Sequence, residues 1–350
     1  MNRMNPPALH GPQRGMTLIE VMISITISLI LLAGVMQIFS SNKETYRVQD
    51  AMARIQEGGR FAVNFLTKDL RMAGYMGCNS INTQSAPPVN MADIDGDNIA
   101  DTVADFTGDG LQGWEYSELP VNISATQSLT DVDVVANTDI ISIKRADDTG
   151  VRLTGNMATV NANVQLDALT ANGRFAADDI LVISDCEKTD IFAANNVSNG
   201  AVTTTIAHSN AVNTGNFLSK TYGTDAEVMS LVNTVYYIGT NAAGEPSLFR
   251  MEMGNAGVLT AQELVEGVED MQISYGVDTD GDRTANVYLD ADAINPVASG
   301  MDMSEVVSVR IALTLRTLDD RVATTVDANN NDRRLRRTFT TTVTLRNRVV

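Results

Sequence analysis

Two short loops carry carboxylates at alternating positions. Asp93, Asp95 and Asp97 surround Gly96, with Asp101 a little further on, and Asp278, Asp280 and Asp282 surround Gly281, with Asp290 and Asp292 following. That spacing can converge hard oxygen ligands on a Ca²⁺ ion. Neither loop is an EF-hand. Its sixth position, normally glycine, is Asn98 or Arg283, and its twelfth is Ala104 or Leu289 instead of glutamate. The plainer reading of both is an Asp-Gly turn on an acidic surface. Of the two, Asp278, Asp280 and Asp282 form the better cation candidate. Other chemistry is sparse: the histidines are His10 and His208, no G-x-S-x-G is present, and Gly239 to Gly244 is followed by Glu245 where a phosphate loop needs lysine. The expectation is a protein without catalytic residues or a resident cofactor, Ca²⁺ being the one candidate ligand.

A second ionisable residue is placed where ionisable residues are costly. Glu20 heads the stretch Val21 to Phe39, which contains no charge and, as a helix, would be about 28 Å long, close to the hydrocarbon thickness of a bilayer. A carboxylate at the head of a membrane span needs a partner. The residues before it, 1 to 15, are polar, hold Arg3 and Arg14 without an acid, and end in Gly15. A secretory signal places its cleavage site after the apolar region. Here the candidate cut precedes it, so the helix would stay on the mature chain.

Arg14, Gly15, Met16, Thr17, Leu18, Ile19 and Glu20 resemble the class III prepilin motif. The resemblance implies cleavage after Gly15 by a prepilin peptidase and methylation of the new N-terminus, Met16. It implies too that Glu20, fifth in the mature chain, pairs with the N-terminal amine of a neighbouring subunit. Met16 replaces the commoner phenylalanine. An ordinary signal anchor, with Glu20 at the membrane interface, is the bland alternative.

Elements that would position these residues can be read further along. Val48, Met52, Ile55, Gly59, Ala62, Leu66 and Ala73 recur at helical spacing, so the helix is expected to run from Met16 to Ala73, about 90 Å, with Gly58-Gly59 as its weak point. Strand patterns follow at Asp139–Arg145, Ile180–Ser184, Met229–Ile238, Ser247–Met253, Met271–Val277, Val306–Leu315 and Thr338–Arg346. Asn241 to Pro246 and Asn329 to Asp332 read as turns. The expected class is α+β: a leader at 1–15, a membrane half-helix at 16–39, a periplasmic half-helix at 40–76 and a β-rich globular domain at 77–350. With 44% apolar and 19% charged residues the chain can build a core, and its net charge of −18 disfavours nucleic acid as a partner. Loss of the leader takes the charge to −20.

Within the body the chain resembles the PilW family of minor pilins. The residues that carry the likeness are Gln56-Glu57, Arg60-Phe61-Ala62, Asp69 to Tyr75, Gly77-Cys78, Ser184-Asp185-Cys186, Gly244 to Leu248, Val265 to Gln272, Tyr275 to Asp278, Phe339 to Thr342 and Arg346 to Arg348. Segments 86–130 and 187–225 match nothing in that family and read as insertions. The resemblance implies a structural subunit that primes a type IV pilus from a minor-pilin complex at its tip. Its partners would be other minor pilins, the major pilin, the inner-membrane assembly platform and a tip adhesin. The expected location is the bacterial inner membrane, with the body in the periplasm. A J-type pseudopilin of type II secretion, and a tip adhesin or Ca²⁺-dependent binding module, are the alternatives. On the far side of a membrane Cys78 and Cys186 meet an oxidising compartment and are expected to form a disulfide, two separate buried thiols being the other reading. Nine arginines between Arg310 and Arg348 either dock an acidic partner or keep exposed strand faces soluble.

Overall fold

The computed structural model describes residues 15–78, 88–101, 110–116, 134–254, 257–294, 300–323, 325–328 and 330–349. The leader up to residue 14, and most of the 86–130 segment, lie outside them.

One helix, α1 (Leu18–Arg71), runs unbroken for 54 residues, or about 81 Å. It starts two residues later and ends two residues earlier than the periodicity suggests, and Gly58-Gly59 does not interrupt it. Those glycines serve a close approach. A Cβ on Gly58 would lie 3.2 Å from Val265 and 3.3 Å from Leu315, and one on Gly59 would overlap the Phe339 ring. The expected helical face is the one that packs: Ile55, Gly59, Ala62, Leu66 and Leu70 are buried. Leucines 66 and 70 are fully enclosed, each contributing about 1.5–3 kcal/mol of apolar burial. The first half has another solvent. None of its most apolar 18-residue window is buried against the body, and it is long and apolar enough to cross a membrane. Its hydroxyls are satisfied internally, Ser24, Thr26 and Ser28 each donating to the carbonyl four residues back, so they add little polar cost in lipid.

The body is built from sixteen strands in three sheets among the described residues. The first sheet centres on the long β10 (Glu227–Thr240), flanked by β11 (Pro246–Met253) and β12 (Leu259–Glu266) on one side. On the other side stand β6 (Ile180–Ser184), β7 (Thr189–Ala193) and the short β1 (Val89–Asn90); β2 (Leu111–Trp114), β3 (Ile140–Ala146) and β4 (Val151–Arg152) complete it. The second sheet is β14-β13-β15-β16, formed by Val287–Leu289, Val268–Val277, Val306–Arg316 and Arg336–Thr344. A small third sheet, β5-β9-β8, comprises Val164–Asp167, Thr203–Ala207 and Asn196–Asn199. The 187–225 segment, unmatched to any family pattern, thus supplies β7, β8 and β9.

Gly267 alone separates β12 from β13, so the chain passes from the first sheet to the second within one residue. Its φ of 80° is open to glycine and costly for other residues, and a Cβ there would lie 2.8 Å from the Arg316 carbonyl. In the second sheet Met271, Ile273, Tyr275 and Val277 alternate inward, as do Val309, Ile311, Leu313 and Leu315. They form one core with Ile55, Ala62, Leu66 and Leu70 of α1. A second core joins β6 and β7 to the third sheet through Leu181, Ile183, Phe192, Leu166 and Ile206.

Polar contacts fix where α1 ends. Tyr236 donates to the buried Asp69 carboxylate at 2.6 Å, with Arg145 4.0 Å away. Burial, and then the charge of Asp69, push the Tyr236 phenol up. Gly74 N–H donates to the Lys144 carbonyl, Ala146 N–H to the Tyr75 carbonyl, and the Asn347 amide to the carbonyl of Ala73. The sheets are tied by Asp139, 4% exposed, which accepts from Ile273 N–H at 2.6 Å and shares a hydrogen bond with Glu115. Desolvation, opposed by the Ile273 N–H and reinforced by Glu115, pushes the Asp139 carboxyl up to about 8.

Gly59→Val is expected to destabilise the body by about 1–3 kcal/mol despite removing a helix glycine, because the new side chain collides with Phe339. Thermal unfolding of Gly59→Val alone and with Phe339→Ala checks this: the second change should recover much of the loss. Between pH 4 and 8 native Asp139 keeps a proton that the unfolded chain releases near 3.8. The folded state therefore binds more protons, and stability falls as pH rises through that window, by on the order of a few kcal/mol. Asp139→Asn, which can still accept from Ile273 and donate to Glu115, should flatten that part of the pH profile in denaturant titrations.

Candidate functional site

The N-terminal site is an exposed helix start. Thr17 caps α1, its hydroxyl accepting from Glu20 N–H at 3.4 Å, which puts Glu20 in the first turn, where the helix dipole favours an anion. Glu20 forms no ion pair among the described residues and is open to its surroundings, as are Gly15 and Met16. Residues Gly15, Met16 and Glu20 are thereby presented together, with the body packing only on the far half of the helix.

Just past that half, Cys78 is bonded to Cys186 in the turn between β6 and β7, with Cα atoms 5.1 Å apart. The bond ties the chain emerging from α1 to the first sheet. Beside it the Asp185 carboxylate accepts from the N–H groups of Glu187 and Lys188 and from Lys220 Nζ at 2.6 Å. Desolvation raises its pKa, but Lys220 and these N–H groups outweigh it and hold Asp185 below the usual carboxylate range. Sequence alone allowed two separate thiols; the pairing of Ser184 with Thr189 sets Cys186 in the β6–β7 turn, and the chain leaving α1, with Gly77 close against Met229 and Ser184, brings Cys78 to it.

The two Asp loops turn alike, with positive φ at Gly96 and Asn98 in one and at Gly281 and Arg283 in the other. Asp93 accepts from the N–H groups of Gly96, Asp97 and Asn98, and Asp278 from those of Asp280, Gly281 and Arg283. Asn98 and Arg283 adopt φ of 65° and 66°, the left-handed conformation for which their position in an EF-hand takes glycine. In each loop three carboxylates offer oxygens within 4.8 Å of one another: Asp93, Asp95 and Asp97, or Asp278, Asp280 and Asp282. Asp290 and Asp292, which sequence order put close to the second loop, do not join its group. Asp101 turns back to accept from Ile94 N–H. Although desolvation raises its pKa, the backbone donors hold Asp278 below its ordinary value, so it stays an anion. Its oxygens, like both of those of Asp280, already accept hydrogen bonds within the loop, which leaves Asp282 as the freest ligand.

The arginine tract is largely committed inside the molecule. Arg316 and Arg334 pair with Glu245, while Arg336 pairs with Glu269, Asp327 and Asp332. Asp332 is held at about 2, first by its bond from Arg336. Arg348 is buried and donates to the carbonyls of Met303 and Val306. Arg310 stacks over Tyr288 at 3.9 Å. Both sequence readings of the tract missed this, because the acids that neutralise it come from distant parts of the chain. His208 is buried too, its Nε2 against the Ala162 carbonyl, and burial lowers its pKa. The fully buried Asp190, unsuspected from sequence, accepts from Ser219 and Tyr222 inside the second core.

With this geometry in view, residues 235–347 match the family described as Type IV Pilus-assembly protein W, and residues 11–36 match the prokaryotic N-terminal methylation motif. Over 87 residues the chain is 32% identical to a pilin-like protein, PilA3, of Thermus thermophilus, a match that spans 25% of this chain and 37% of that protein. No solved structure matches the chain. The family segment begins in β10 and ends beyond β16, so it takes in the whole second sheet on which α1 rests.

Alkylation of the unfolded, unreduced protein is expected to label no cysteine, and to label both after reduction. Replacing both with serine should cost up to about 4–5 kcal/mol in the chain-entropy view, since the bond spans 108 residues; chemical denaturation measures it.

Proposed function

We propose that this chain, which carries a PilW-type segment behind a methylation motif, is a pilin-like protein that acts as a minor pilin and helps prime a type IV pilus. The observation that carries this reading is the division of α1: one unbroken helix, apolar and unburied in its first half, buried in the body in its second. Such a helix can stay in the inner membrane while presenting the body to the periplasm, and later join a bundle of similar helices without refolding.

In this proposal a prepilin peptidase cuts after Gly15, Met16 becomes the methylated N-terminus, and Glu20 meets the terminal amine of a neighbouring subunit. Loss of a countercharge within lipid is costly, so the pairing would set the register between helices. The neighbours are other minor pilins and the major pilin, in a complex at the pilus tip. Asp278, Asp280 and Asp282 are the residues that would hold a Ca²⁺ ion on the body, supplying oxygen ligands of the type that ion prefers.

Mass spectrometry of the protein from its host is expected to find N-methylated Met16 as the first residue; a chain beginning at Met1 would contradict the proposal. Glu20→Ala makes the span more apolar, so membrane insertion should be unchanged. Recovery of pilin partners on co-purification should fall about tenfold, a loss of ~1.4 kcal/mol. Undiminished recovery would remove Glu20 from the assembly contact.

A further inference from the structure

We propose that the free edge of β16, with the basic groove beside it, receives an extended acidic strand from a partner subunit. The inference rests on the reading of this chain as an assembling subunit and names one of its contacts. β16 pairs with β15 through Ser308↔Thr344 to Arg316↔Arg336 without a bulge, and no described strand covers its other side. Leu345 N–H donates to the Val307 carbonyl, and Thr317 N–H to that of Leu335. In an antiparallel ladder this parity directs the backbone of Phe339, Thr341 and Val343 towards β15. The N–H and C=O groups of Thr338, Thr340, Thr342 and Thr344 therefore point outward. Exposed edges are normally blunted by lysine, proline, a bulge or shortness. From Thr338 to Thr344 the edge has none of these.

The edge opens into a groove of about 1200 Å³ walled by α1. Arg60 and Arg71 on the helix and Arg337 on the strand line it, all three exposed and in no ion pair among the described residues, against one acid, Glu57. In a chain of net charge −18 this is a local reversal of sign. Thr67 also lines the groove, and its hydroxyl is buried without a hydrogen-bond partner. Arg60 and Arg71 stand about 17 Å apart along the helix, the length of roughly five residues of strand. A strand added to β16 would lie along the groove with its backbone on the threonines and carboxylates within reach of the arginines. A second copy of β16 fits poorly: antiparallel pairing of the two edges would set the groove of one copy, with its Arg60, Arg71 and Arg337, against the same groove of the other, like charge against like.

The test uses the full chain in detergent and a labelled octapeptide that alternates valine and threonine between terminal aspartates. Saturable binding is expected. It should weaken at least tenfold when alternate peptide nitrogens are methylated, when the aspartates become lysines, and with Arg60→Glu/Arg71→Glu. Thr340→Pro should do the same, because it removes only an outward N–H and leaves the β15 ladder intact; unchanged circular dichroism checks that the variant folds, and the methylated peptide tests the edge on the native chain in any case. Absence of saturable binding, or binding indifferent to backbone methylation, overturns the inference. Dimerisation of the chain that Thr340→Pro abolishes would overturn it in favour of a second copy. If the protein recovered from its host carried no pilin partner while the peptide still bound, the assembly reading would fail and the edge would stand.

Discussion

One helix has to serve two solvents, and the rest of the structure follows from that. The first half of α1 keeps its apolar side chains outside the body, so the body can hold only the second half, through a stripe about four turns long. A grip that short needs close packing. Gly58 and Gly59 let the helix backbone approach β12, β15 and β16, Leu66 and Leu70 fill the space behind them, and the buried Asp69 is paired to Tyr236 so that its charge is not left alone. The residues that look weakest for a helix are the ones that let it dock.

The sheets are arranged to make that grip rigid. Gly267 carries the chain from the first sheet to the second in one step, so the two sheets cannot slide without breaking the β12–β13 connection. Asp139, just before β3, adds a hydrogen bond between them by accepting from Ile273 N–H of β13. At the end of α1 the Cys78–Cys186 bond and the contacts of Gly74 and Tyr75 with β3 fix the emerging chain to the first sheet, while Asn347 fixes it to the C-terminal turn. Displacement of the helix would have to break both sets.

Charge is used in two ways on the same region. Arg316, Arg334 and Arg336 are spent on Glu245, Glu269 and Asp332, closing a network around one end of the second sheet. Arg60, Arg71 and Arg337 lack such acids and face the groove beside β16. An acidic molecule thus keeps a basic strip on the side where its sheet is incomplete, and that combination favours a partner of opposite charge over self-association.

Sequence by itself determined the elements whose signals are local. An uncharged run behind Gly15 and Glu20 specifies a membrane-length helix, spacing of Ile55, Ala62 and Leu66 specifies its packed face, and period-two alternation specifies β13 and β15, because each pattern depends only on backbone repeat and solvent. It missed β12, whose Ala261, Gln262, Glu263 and Leu264 favour helix, and β7 to β9, whose short runs lack alternation; there neighbouring strands supply the hydrogen bonds that the residues alone would not choose. Only the tertiary structure decided that Gly58-Gly59 is a docking surface, that Cys78 meets Cys186, that Arg316, Arg334 and Arg336 are paired and that β16 is left open. These outcomes rest on groups far apart in the chain, and no local pattern encodes which of them the fold brings together.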